Sequence, residues 1–209
     1  VNIPTFRYGG NPEGRYVLGC TVPGVDNRQR IVESAKVMFW QRGYSTTSPR
    51  QVMTEAGVGQ GSFYHHFPTK TELGLEVVAG NGRDLLDAVR TAMAGQPTGR
   101  DRLAAFLRSA DKALEGCRVG GFAYDASVLG EPELRASLGA TFTELGGLVE
   151  EAVRAGQEDG SLVPGADPAK TAAALTAAVE GAFVLARATG RQGSADDATA
   201  GILALLTND

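Results

Sequence analysis

Gln60, Gly61 and Ser62 stand where a helix of about two turns begins, directly after the tight turn Gly57-Val58-Gly59. The short helix before that turn opens on Ser48-Pro49-Arg50-Gln51, which reads as a capping box with Ser at N-cap, Pro at N1 and Gln at N3. Two short helices joined by a glycine-bearing turn form a helix-turn-helix, whose second helix enters a major groove ~12 Å wide and turns its N-terminal residues toward the base edges. Gln60, Gly61 and Ser62 are short or amide-bearing, as so close an approach requires. The chemistry on offer is hydrogen bonding to bases: an arginine such as Arg50 can fork onto guanine O6 and N7, and a glutamine such as Gln60 onto adenine N6 and N7.

Other chemistries find little support. The chain has no GxSxG elbow, no P-loop, no GxGxxG after a strand and no histidine beyond His65 and His66, so an enzyme is not expected. Those two imidazoles are adjacent on a helix and point in different directions, and the two cysteines, Cys20 and Cys117, lack CxxC spacing, so neither a metal site nor a cofactor is expected. A thiol sensor is a further reading, which Arg118 beside Cys117 keeps open and the lack of basic neighbours at Cys20 weakens. The formal net charge of -4 gives no overall attraction to polyanions, so nucleic-acid binding must come from a local patch.

The run Gly43-Tyr44-x-x-Thr47-Ser48-x-x-x-Val52, followed by Glu55-Ala-Gly-Val-Gly-Gln-Gly-Ser-Phe-Tyr-His-His-Phe-Pro-Thr-Lys70-Thr-Glu-Leu73, resembles the signature of the TetR family over roughly Arg28 to Val78. The resemblance implies that Arg50, Gln60 and Ser62 face bases and that Ser48, Tyr64, His66 and Lys70 contact phosphates. Lys70 begins a helix, where exposed backbone N–H groups also favour an anion. Pro49 and Gly59 depart from many relatives, which carry longer side chains there. Tyr64 has a second reading as a core aromatic, and His65 divides between a phosphate donor and a plain surface residue.

The elements that must hold these residues follow from periodicity. Ile31, Ala35, Met38 and Phe39 recur at helical spacing from Asn27 to Arg42, helix two runs from Pro49 to about Ala56, and helix three carries Gln60 to His66 before Pro68 breaks it. Helices are then expected over about 71–94, 100–114, 132–156 and 167–189, with shorter stretches up to Leu129 and a last helix from Ser194 or Ala195 through Leu206. No strand pattern appears, so the fold class is all-α. The expected domains are a flexible arm over 1–26, a helix-turn-helix unit over 27–72 and a helical effector-binding and dimerisation unit over 73–209. Arg7 and Arg15 on the arm read either as minor-groove contacts or as part of a solvated tail. The start Val1-Asn-Ile-Pro-Thr-Phe lacks a basic n-region before an apolar core, and the apolar stretch Ala172 to Ala186 is interrupted by Thr176, Glu180 and Gly181, so a cytoplasmic protein with no membrane span is expected.

In the second half, Ala172, Leu175, Thr176, Val179, Ala182, Phe183 and Ala186 form one stripe of small and apolar residues, and the final helix adds Ile202, Leu203, Leu205 and Leu206. A homodimer through Leu175, Val179, Phe183 and Leu203 is expected, because the family resemblance implies dimerisation through the last two long helices and the stripe exceeds what one chain covers. Met93, Phe106, Cys117, Phe122, Tyr124, Leu129 and Phe142 are nominated as walls of a pocket for a small apolar effector, although each could equally be core. The sequence from Gly181 to Arg187, with Pro132-Glu-Leu-Arg135, resembles a subgroup that includes regulators of drug-export genes. Together these readings give a regulator that binds a double-stranded DNA operator as a homodimer and leaves it when an effector shifts the spacing of its recognition helices; that it represses is implied by the family resemblance alone.

Overall fold

The computed structural model describes residues 26–207. The arm before Asp26, with Arg7, Arg15 and Cys20, lies outside the described residues. Within them the chain forms nine α-helices and two 3₁₀ segments and no strand. The order is α1 Asn27–Arg42, α2 Pro49–Ala56, α3 Gln60–His66, α4 Lys70–Met93, α5 Gly99–Leu107, 3₁₀ segments at Arg108–Glu115 and Gly120–Tyr124, α6 Ala126–Gly130, α7 Pro132–Glu158, α8 Pro168–Thr189 and α9 Gly193–Ala204.

Side-chain caps fix most of the helix starts. Asp26, Thr69, Thr98 and Asp167 each accept a hydrogen bond from a backbone N–H in the first turn of α1, α4, α5 and α8. Two boundaries differ from the periodicity. The stretch expected to run as one helix to Leu114 turns into 3₁₀ at Arg108 and kinks at Lys112, where φ -111° and ψ 37° leave the helical region. Helix α9 ends at Ala204, and the next turn is tied down by Val163 N–H donating to the Leu206 carbonyl at 2.9 Å.

Three apolar clusters hold the molecule. The first begins inside α1 to α3 with Ile31, Phe39, Val52, Phe63 and Phe67, and continues without a break through Val77 of α4 to Phe122, Val128 and Leu134. The second fills the bundle of α4, α5, α7 and α8 with Leu103, Phe106, Leu145, Val149 and Leu175. The third is small, joining Ala110 and Ala113 to Ala182, Ala186 and Ala195. The expected stripe on α7 holds: Leu134, Leu138, Leu145 and Val149 are buried and Phe142 is half-buried between the first two clusters.

Helix α8 departs from the expectation drawn from its polar interruptions, since its 22 residues are long and apolar enough to cross a membrane by length and composition. Here it packs as a bundle helix against α7, α9 and the Arg108–Glu115 segment.

Candidate nucleic-acid interface

The sequence builds a rigid mount for α3. Ser48 Oγ accepts from Gln51 N–H at 3.3 Å while Gln51 Oε1 accepts from Ser48 N–H at 2.7 Å, closing the capping box that starts α2. Gly57 ends α2 at φ 62°, a left-handed backbone that a Cβ would strain, and its N–H satisfies the last carbonyls of the helix. Phe63 and Phe67 turn inward and are buried, with ring centroids 6.4 Å apart. The opposite side of α3 is therefore left outside.

On that outer side lie most of the residues expected to meet DNA. Arg50, Gln60, Gly61, Tyr64 and His65 are exposed, as is Ser48 at the head of α2, and His66 is half-buried. Tyr64 is 42% exposed and meets Phe63 only edge to face at 5.2 Å, which removes the core reading of this residue. A Cβ added at Gly61 would meet nothing within 4 Å, so nothing in the chain itself requires glycine there. Ser62 is half-buried, and its Oγ already accepts from Asn27 Nδ2 at 3.1 Å, so part of its hydrogen-bonding capacity is spent on α1. His65 and His66 meet edge to face at 5.1 Å, and among the described residues no group of three His, Cys, Asp or Glu could hold a metal ion.

Lys70 is less free than its sequence position suggests. Its Nζ lies 4.3 Å over the Tyr44 ring and donates to the Ser45 carbonyl at 3.4 Å. Burial pulls its pKa below the ordinary lysine value, with Asp125 opposing the shift. The side chain thus has a structural task beside any phosphate.

The charge deficit of the whole chain is reversed locally. Between 27 and 72, Arg28, Arg30, Lys36, Arg42, Arg50 and Lys70 outnumber Glu33, Glu55 and Glu72. Arg28 and Lys36 are paired with acids of α4, Glu76 at 2.6 Å and Asp84 at 2.9 Å. Arg42 and Arg50 instead border a shallow hollow with Ser48 beside α2, and supply the exposed cationic character of this face.

Behind the helix-turn-helix, a cavity of about 260 Å³ lies between α4, the Arg108–Glu115 segment and α8. Of the nominated pocket residues it takes only Phe106 and Cys117. Met93 is packed into the second cluster, Phe122 into the first, and Phe142 bridges the two; Tyr124 points largely to solvent and Leu129 is partly exposed. Phe122 and Tyr124 border a separate hollow next to Trp40, and Tyr124 another beside Arg187. The walls mix polar and apolar groups, since Asn81, Glu180 and Cys117 border the cavity alongside Phe106, Leu145 and Phe183. Gly120 N–H donates to Cys117 Sγ at 3.1 Å, and the thiol is hydrogen-bonded to Glu180. A Cβ on Gly120 would collide with the Glu180 carboxylate, so glycine is what lets that carboxylate seat. Burial, then the charge of Glu180, pushes the Cys117 thiol up to about 12, while burial raises the Glu180 carboxyl and Cys117 opposes it. A thiol so reluctant to ionise is a poor nucleophile, which weighs against the thiol-sensor reading.

Three contacts tie the cavity side to the DNA-facing side. Asp84, on the cavity wall, pairs with Lys36 of α1; Arg118, also on the wall, stacks over Trp40 of α1 at 4.7 Å; and Asp125 accepts from Ser45 N–H at 2.7 Å, just before α2. Trp40, Asn81, Asp125 and Glu180 are absent from the candidates that the sequence supplies, and Arg118 appears there only as a neighbour of Cys117. An isolated tryptophan or a glutamate inside an apolar helix carries no local pattern; Glu180 stands in the sequence only as an interruption of the run Ala172–Ala186.

The expected dimer residues are only partly available. Leu175 is 1% and Val179 5% exposed, because both face the second cluster of their own protomer, so they cannot be the contact surface. Phe183 and Leu203 are half-buried, and Phe183 also lines the cavity. What α8 presents outward is the neighbouring stripe Ala177, Val184 and Ala188 with Leu185 and the half-buried Gly181, beside Gly201 and Ala204 of α9 and Leu205 just beyond it. The stripe predicted from sequence was one helix face away from the uncovered one.

A helix-turn-helix with an exposed, locally cationic recognition side, built on a helical bundle, defines a DNA-binding transcriptional regulator. The family model described as bacterial regulatory proteins of the tetR family matches residues 31–77, and that described as the tetracyclin repressor-like C-terminal domain matches residues 99–202. The transcriptional repressor DhaR of Mycobacterium sp. (strain GP1) is 30% identical over 161 residues, which cover 75% of this chain and 80% of DhaR. The transcriptional regulator LmrA of Bacillus subtilis (strain 168) is 29% identical over 136 residues, 62% of this chain and 72% of LmrA. In fold, the crystal structure of reduced E. coli NemR superposes with a TM-score of 0.78 at 22% identity, covering 87% of this chain and 98% of that one. The chain belongs to the TetR family of transcriptional regulators.

Proposed function

We propose that the protein is a homodimeric repressor, acting in the cytoplasm, that holds its operator through Arg50, Gln60 and neighbouring residues of residues 27–72 and is released when a small effector fills the cavity in the remainder of the chain. The observation that carries this reading is the pair of direct links, Lys36–Asp84 and Trp40–Arg118, by which cavity-wall residues grip α1. Since α1 packs on both α2 and α3, a wall that moves on ligand binding reorients the recognition helix. The ligand then needs only to favour one orientation over the other to shift the population. Repression is favoured by the similarity to a named repressor. Ser48, Tyr64, His65, His66 and Lys70 serve as phosphate-side contacts, and Gly61 leaves room for a base edge. The uncovered apolar face of α8 and α9 supports the dimer, which sets two recognition helices about one DNA turn apart.

The test is fluorescence anisotropy on a labelled duplex from the protein's own promoter region, titrated with protein and then with candidate effectors. Saturable binding that a ligand reverses is the expected result; tight binding that requires the ligand would reverse the sign to activation.

A further inference from the structure

We propose that the cavity selects a compact, uncharged effector with an apolar body that accepts a hydrogen bond from Asn81 Nδ2 and donates one to Glu180. This rests on the reading of the cavity as the effector site and specifies what that site recognises.

Asn81 is 4% exposed, lies on the cavity wall, and its Nδ2 is the one buried side-chain nitrogen or oxygen among the described residues without a hydrogen-bond partner. A buried donor left unmade destabilises a fold, whereas an apolar residue of the same shape would not. Its presence points to a partner from outside the chain. Glu180 stands on α8 across the same cavity, and its carboxyl uses the Cys117 thiol for only part of its accepting capacity. The remaining walls at Leu85, Phe106, Leu145 and Phe183 are apolar.

The charges facing the cavity do not favour an ion. Asp84 is taken by Lys36; Glu115 and Glu180 then stand against Lys112 and Arg118. Burial further disfavours the ionised form of Glu180, so a neutral O–H or N–H donor suits it better than an ammonium. The volume of about 260 Å³ lies just below the ~300–1,000 Å³ common for ligand sites and fits a body of two fused rings.

Five probes of similar size separate the contributions: 7-hydroxycoumarin offers donor and acceptor, coumarin the acceptor, 2-naphthol the donor, naphthalene neither, and 2-naphthylmethylamine a cationic donor. Binding to the full-length protein at pH 6.5, by calorimetry and thermal shift, should rank 7-hydroxycoumarin at least about tenfold tighter than coumarin or 2-naphthol, with naphthalene weakest. Asn81→Leu should bring 7-hydroxycoumarin down to the 2-naphthol level while leaving the melting temperature of the free protein unchanged or higher, and Glu180→Ala should bring it to the coumarin level. Naphthalene binding as tightly as 7-hydroxycoumarin, the amine outranking 2-naphthol, no probe binding up to millimolar concentration, or Asn81→Leu lowering the melting temperature without changing the ranking would each overturn the assignment. Binding of the wild type to its promoter duplex is measured in parallel, so failure of the regulator reading appears there and leaves the probe ranking to decide this one.

Discussion

The Arg118 guanidinium carbon lies 4.7 Å from the centroid of the Trp40 ring, joining the wall of the cavity to the first helix of the DNA-binding unit. Arg118 follows Cys117 directly, so any displacement of the Cys117–Glu180 pair by a ligand is one peptide away from the stack. A cation–π contact of this kind contributes ~0.5–2 kcal/mol.

Arg118→Ala should therefore separate sensing from binding. Operator affinity is expected within about threefold of wild type, while the effector concentration needed for release rises by ~2- to 30-fold, the range that the contact energy allows. Trp40→Leu should act in the same direction. Anisotropy titrations with and without effector check this, and an unchanged release curve for both variants would place the coupling elsewhere.

Cys117 should behave as a structural thiol. With its pKa pushed up to about 12, alkylation by iodoacetamide in the folded protein should be slow at pH 8, climb steadily with pH, and accelerate sharply when urea unfolds the chain. Rapid modification of Cys117 at pH 7, read by peptide mass spectrometry, would restore the thiol-sensor reading.

The dimer is best tested on the face that the protomer leaves uncovered. Leu185 is 49% exposed, so Leu185→Glu should leave the melting profile of the protomer intact while giving a monomer mass by light scattering and abolishing operator binding. Phe183→Glu would be less informative, because Phe183 also lines the cavity and packs on two clusters. A dimer mass for Leu185→Glu at micromolar concentration would exclude this face.

Local rules sufficed for the DNA-binding unit. The capping box at Ser48 and Gln51, the left-handed Gly57 and the inward pair Phe63 and Phe67 are governed by neighbours within a few residues, and the helices they predicted are those that form. The cavity and dimer face were legible only as helices with an apolar side. Which side of α8 turns inward depends on α7 and the Arg108–Glu115 segment, distant in sequence, so Leu175 and Val179 read as interface although they are core. Likewise Asn81 and Glu180 become a pair only once α4 and α8 are brought to one cavity.

The most direct measurement of the central claim, that α3 reads bases from this mount, compares Gln60→Ala and Arg50→Ala on operator and scrambled duplexes at several salt concentrations. Each should cost roughly 1–3 kcal/mol per half-site on the operator and relax preference at one or two base pairs. Gln60→Ala should barely change scrambled binding, since it removes no charge, whereas Arg50→Ala should weaken it too. Lys70→Ala should weaken both duplexes alike and also lower the melting temperature, because Lys70 packs over Tyr44 and bonds the Ser45 carbonyl. Equal losses on operator and scrambled DNA for Gln60→Ala would contradict base reading by α3, and no binding of the wild type to its own promoter duplex would contradict the account as a whole.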